Sequence, residues 1–161
     1  MITRPLVLVL FLATTFSGCR FNLFEEPPSL VEQAEELTEE KEYEKAILLY
    51  EKHIQTRLAA TSRPDLENPY LYLLTIGDLL LLQDKVEAAL SKYEEAEKLG
   101  VSPGLISDRY RHVASYYEER GELFKAIDIL NRYRDRDPLL FDGMLDRLAK
   151  EVVRSEDNAP N

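Results

Sequence analysis

A lone cysteine, Cys19, follows directly on Ser17 and Gly18, and its thiol is the strongest nucleophile the chain offers. Histidine, the usual proton carrier near neutral pH, occurs at His53 and His112, neither with a metal-ligand partner at a recognisable interval. Carboxylates cluster at Glu35, Glu36, Glu39 and Glu40 and again at Glu118 and Glu119. Such pairs can act as acid and base, but at helical spacing they describe a solvated face far more often. The sequence has no Gly-x-Ser-x-Gly elbow, phosphate-cradling glycine loop or EF-type calcium loop. No catalytic residue, metal ligand or cofactor is therefore assigned, and a non-enzyme is expected. The chemistry left to explain is that of Cys19.

Ahead of it stand Arg4 and then Leu6 to Phe16, almost uninterruptedly apolar. A charged start, a short greasy core and small residues before a cut site describe a secretory signal, and the core is too short to span a bilayer. Ser17-Gly18-Cys19 resembles a bacterial lipobox, although Phe16 stands where the motif usually has leucine. That resemblance implies a signal peptide over 1–18, removed to leave a palmitate-type acylated Cys19 as the first residue of the mature chain. The alternative is an ordinary signal with a chance cysteine. Several acyl chains would hold firmly, since each buried methylene contributes about 0.8 kcal/mol. Arg20, in place of an aspartate, resembles lipoproteins sent on to the outer membrane in enteric bacteria. The implied location is the outer membrane, facing the periplasm. A tether over 19–28 would reach at most roughly 30 Å.

Composition bounds the rest. At 161 residues, 45% hydrophobic and 31% charged, the chain is ordinary for one folded domain. Its formal charge is −10, with no block of lysine and arginine, which argues against a phosphate-backbone partner. An anionic membrane surface would also repel the body, leaving the lipid as the only membrane contact. One cysteine excludes a disulfide framework within the chain and a four-cysteine metal site.

Helix signals recur along the chain. Ser29-Leu30-Val31-Glu32 reads as a capping box, and Asn68-Pro69 and Asp137-Pro138 each pair a cap with a first-turn proline. From Tyr70 to Leu82 the sequence is apolar on nearly every side, so that helix should be sandwiched between others. Small residues stand 12 apart three times: Ala34 and Ala46, Gly77 and Ala89, Ala114 and Ala126. A small residue in each of two helices lets their backbones approach closely, while larger neighbours such as Tyr50 and Tyr93 fill the space beside the contact. Leu73-x-x-Ile76-Gly77-x-x-Leu80, followed by Ala89-x-x-x-Tyr93 and Ala96, resembles the tetratricopeptide repeat (TPR), and the other two intervals resemble degenerate copies.

The resemblance implies an all-α solenoid of three helical hairpins, over 29–59, 69–100 and 103–136, with a capping helix over 138–154 and a flexible tail over 155–161. Copies one and two are 43 residues apart and copies two and three 37, against roughly 34 in the family. The surplus should extend the loop at 60–67, with room for its preceding helix to lengthen, and the link from Gly100 to Gly104. In the family, partners lie along the surface made by the first helix of each pair. By the pattern that surface would carry Glu35, Thr38 and Glu39, then Leu71, Leu74, Asp78, Leu81 and Leu82, then Asp108, Arg111, Ser115, Glu118 and Glu119. Its partner would be a basic or amphipathic segment of another envelope protein. A second copy of the chain, or its own C-terminal helix, could cover those leucines instead. The implied function is a lipid-anchored periplasmic scaffold, similar in general plan to the TPR lipoproteins that assist outer-membrane barrel or pilus secretin assembly. The alternative is an accessory subunit of a cell-wall-modifying enzyme, or such an enzyme itself.

Overall fold

The computed structural model describes residues 27–157. Cys19, the proposed leader and most of the tether lie outside the described residues. Regular structure within them is all helical: α1 (Leu30–Glu39), α2 (Tyr43–Ala59), a 3-10 turn (Pro69–Leu71), α3 (Tyr72–Leu82), α4 (Val86–Lys98), α5 (Pro103–Glu119), α6 (Leu123–Tyr133), a second 3-10 turn (Arg134–Arg136) and α7 (Pro138–Asp157). Among these, no helix is long and apolar enough to cross a membrane.

Local chemistry sets the starts. The Ser29 hydroxyl accepts from the Glu32 amide at 3.2 Å, and the Glu32 carboxylate accepts from the Ser29 amide at 2.6 Å, which closes the box and lowers the Glu32 pKa. Asn68 Oδ1 accepts from the Tyr70 amide at 3.0 Å, but Pro69 opens a 3-10 turn and the α-helix begins only at Tyr72. Asp137 Oδ1 accepts from the Leu140 amide at 3.1 Å and starts α7.

One turn joins the two helices of each pair. Lys41, Asp84 and Gly121 occupy the left-handed region with φ of 62°, 62° and 72°. Their amides donate to the carbonyls of Thr38, Leu81 and Glu118, and the amides that follow donate to those of Leu37, Leu80 and Tyr117, all between 2.8 and 3.0 Å. This is the Schellman closure, which satisfies carbonyls that the helix end would leave bare. Only the third turn has the glycine that suits it.

Each of α1 to α6 packs most extensively on its hairpin partner, and α2 on α3 and α4 on α5 join the pairs in chain order, with α7 added on α6. Ala34, Ala46, Ala89, Ala114 and Ala126 are fully buried at these contacts, as is Gly77. Tyrosines fill the seams. Tyr50 stacks on Tyr72 at 5.6 Å, Tyr93 meets Tyr110 edge-on at 6.3 Å, and Tyr110 lies parallel to Tyr133 at 3.6 Å. His53 packs edge-on against Tyr72 at 4.7 Å, filling a place a small residue could have taken.

The structure departs from the sequence expectation in two places, at the start of α5 and at the end of α7. As the spacing anticipates, α2 is 17 residues against 13 in α4, and the loop after it is held by the Arg57–Glu67 ion pair. The second surplus, however, enters α5, which starts at Pro103, so Pro103 and Gly104 are helix and not link. The expected tail is also partly helical: α7 runs to Asp157, with the Ser155 hydroxyl donating to the Val152 carbonyl at 2.7 Å and no glycine or proline from Met144 to Asp157 to stop it earlier. Phe141 and Leu148 are the fully buried anchors of α7.

Candidate functional site

The C-terminal halves of α3 and α5 enclose a depression of about 340 Å³ lined by Asp78, Leu81, Leu82, His112, Tyr116, Glu119 and Arg120. The lining follows helical spacing, with 78, 81 and 82 on one helix and 112, 116, 119 and 120 on the other. Leu81 is buried and forms the floor, whereas Leu82 is 63% exposed at the edge.

Asp78 is the best-held polar group of the site. Its Oδ1 accepts from the Tyr93 hydroxyl at 2.8 Å and stands 2.9 Å from Arg109 Nε, whose N–H is not aligned for a hydrogen bond. Both contacts fall on the same oxygen. Burial raises the Asp78 pKa, and the Tyr93 hydrogen bond and the Arg109 charge oppose that rise. Across the depression, the Arg120 guanidinium lies 3.6 Å from the Tyr116 ring centroid, donates to the Tyr116 carbonyl at 3.3 Å and reaches Asp84 at 3.5 Å. The Tyr116 hydroxyl is sealed from solvent without a hydrogen-bond partner among the described residues. Glu119 is exposed and makes no ion pair among them. Its neighbour Glu118 is taken by Arg147 of α7, which holds the Glu118 pKa below its usual range.

Of the residues assigned to the partner surface from sequence, the depression brings together Asp78, Leu81, Leu82 and Glu119. The others lie elsewhere. Leu74 is buried, at 4% exposure, because α3 is covered by α2, α4 and α5. Leu81 is equally buried and can offer only its floor. Glu35 and Glu39 sit exposed on α1, Leu71 sits on the 3-10 turn at 42% exposure, and Arg111 is engaged by Asp108 of its own helix at 2.5 Å. Ser115 is half-buried outside the lining, and Glu118 is committed to α7. His112, Tyr116 and Arg120 were missed as lining residues, although their four-residue steps mark one stripe of α5. No group of three or more histidine, cysteine or carboxylate side chains among the described residues is arranged to hold a metal ion.

The chain matches no family model, and no curated protein matches it. The site must therefore be read from its own chemistry.

Proposed function

We propose that this chain is a lipid-anchored scaffold of TPR-like plan that holds another cell-envelope protein close to the membrane, with the α3–α5 depression as its docking point. The observation that carries the reading is an exposed leucine, Leu82, beside a walled depression that no segment among the described residues covers. Three further features support it: the 12-residue interval that recurs in three helix pairs, the identical turn that closes each pair, and the Ser17-Gly18-Cys19 motif at the end of an apolar leader. Outer-membrane placement, facing the periplasm, rests on Arg20 alone. A service in barrel or pilus secretin assembly is the pathway of nearest general plan.

A second reading, part of or accessory to a cell-wall-modifying enzyme, is favoured by one observation: Asp78, His112 and Glu119 share one cleft. Against it, Asp78 is occupied by Tyr93 and Arg109 in a bracing role.

Photo-crosslinking from position 82 in intact cells tests the first reading. A defined membrane-associated partner is expected, and Cys19→Ser should move the protein into the soluble fraction. Retention of that variant on membranes would remove the anchor. Hydrolysis of peptidoglycan by the purified protein would replace the scaffold by the enzyme.

A further inference from the structure

We propose that the α3–α5 depression seats a single lysine or arginine side chain of the partner protein, carried between apolar residues that cover Leu82; this rests on the scaffold reading above. The stripe along the front of α3 has the order apolar, acid, apolar. Asp78 and Leu82, four residues apart, share one face of α3, and Leu71 stands on the 3-10 turn that leads into it. Both exposed leucines need cover, and the carboxylate between them, held on one oxygen by Tyr93 and Arg109, keeps its other oxygen for a further donor.

Asp78 has acceptor capacity to give. Its two contacts share Oδ1, so Oδ2 takes no hydrogen bond among the described residues, while Glu119 on the facing helix is without a partner there. Two carboxylates thus flank the depression with free oxygens. The cation that already lines it, Arg120, is directed away, onto the Tyr116 ring and carbonyl and towards Asp84. Leu81 and Leu82 supply an apolar floor and edge against which the methylene stem of a lysine or arginine can lie while its charged head meets the acids. At about 340 Å³ the space sits near the lower limit of ligand pockets, roughly 300 Å³, which suits a side chain better than an extended small molecule.

Charge complementarity decides the partner's sign. An acidic segment would meet Asp78, Glu119 and a chain of formal charge −10, whereas a basic one is drawn in by the same field. A free polyamine would satisfy the carboxylates and leave Leu82 wet. A polypeptide with an apolar–base–apolar pattern satisfies both.

The test uses the full-length chain in detergent and a fluorescent helical peptide bearing one lysine between two leucines, with a twin carrying glutamine in place of the lysine. The lysine peptide should bind about threefold more tightly than its twin, as expected of a partly exposed ion pair, and the margin should shrink with added salt. Glu119→Gln should narrow that margin, Arg120→Gln should widen it, and Glu36→Gln on the distant α1 should leave it unchanged. Asp78 is avoided because it braces Tyr93. Equal binding of the twins, no binding of the lysine peptide, or equal effects of Glu119→Gln and Glu36→Gln would overturn the seat. If crosslinking at position 82 finds a partner whose capture is indifferent to Glu119→Gln, the seat fails and the scaffold stands. If no partner is found there while the lysine peptide still discriminates, the scaffold fails and the cation-binding depression stands.

Discussion

Gly77→Ala would normally be a stabilising change in the middle of a helix, and here it should be strongly destabilising. Alanine is favoured over glycine in a helix interior by about 1 kcal/mol. A Cβ built on Gly77, however, falls 2.2 Å from Cε1 of Tyr93 and 2.8 Å from its Cδ1 and Cζ. The ring has to move by about 1 Å or more to regain van der Waals distance. It is poorly placed to do so, being fully buried, tied through its hydroxyl to Asp78 and packed edge-on against Tyr110. Overpacking of this kind costs about 1 to 3 kcal/mol, and disturbing the hydrogen bond to a carboxylate adds about 1 to 2 kcal/mol. Set against the propensity gain, the net loss is about 2 kcal/mol, or about 6 to 10 °C in Tm for a domain of this size. Thermal and urea unfolding of the full chain measures it. The first pair has alanine at the matching place, Ala34 with Tyr50, and there the tyrosine stacks on Tyr72 of the next pair. The third pair has Ala114 with Leu130. Adding Tyr93→Leu to Gly77→Ala should therefore recover part of the loss. An unchanged or raised Tm for Gly77→Ala alone would refute the close-approach account of this hairpin.

Two further outcomes follow from local physics. His53 has its pKa lowered first by burial and then by Arg57, with Glu67 opposing. The fold thus favours the neutral imidazole, so the unfolded chain takes up the proton first, and stability should decline as pH falls through about 6.5. His53→Gln should flatten that slope between neutral and mildly acid pH in urea titrations, and an unaltered slope would contradict the assignment. Lys41 holds a φ of 62° at the first inter-helix turn, a conformation that costs a residue with a side chain about 1 to 2 kcal/mol. Lys41→Gly should therefore raise stability by about 0.5 to 1 kcal/mol after the extra entropy of an unfolded glycine is deducted, and a lower urea midpoint would refute it.

The helices were legible because their signals are local. Ser29 with Glu32, Asn68 with Pro69 and Asp137 with Pro138 each act over three residues, and each makes the capping bond its type implies. The small-residue intervals were legible for a related reason, since Ala34, Gly77 and Ala114 are too small to have been placed at regular spacing for surface display. The turns were only half legible. The glycine at 121 suits its turn, but nothing in the residue types of Lys41 and Asp84 announces a left-handed backbone, which there is imposed by the packing of the two helices each joins. The additional residues before Tyr110 were assigned to a link because Pro103 and Gly104 resemble a loop, whereas proline in a first helical turn is compatible with helix, and α5 takes them in.

The site was harder, because a pattern places residues on a helix and the neighbours decide which face is open. α3 is leucine-rich on every side, so periodicity could not tell Leu82, which is exposed, from Leu74 and Leu81, which are not. On α5 the repeat pattern selected Glu119, which does line the depression, but its other choices lay one step around the helix from the lining residues. Choosing 111, 115 and 118 selects the face next to the one that carries 112, 116 and 119, and a shift of one residue turns a helix by about 100°. The consequence is chemical as well as geometric. The face first chosen contributes Arg111 and Glu118, each of them already neutralised, by Asp108 and Arg147. The face that is open contributes Glu119, which is free, and Arg120, which leans away. A surface whose charges are all paired has little to offer a charged partner, and one that keeps a carboxylate uncompensated beside an exposed leucine does. In the proposed docking point the remaining carboxylate on α5 is thus Glu119, because Arg147 of α7 pairs with Glu118 and not with the residue after it.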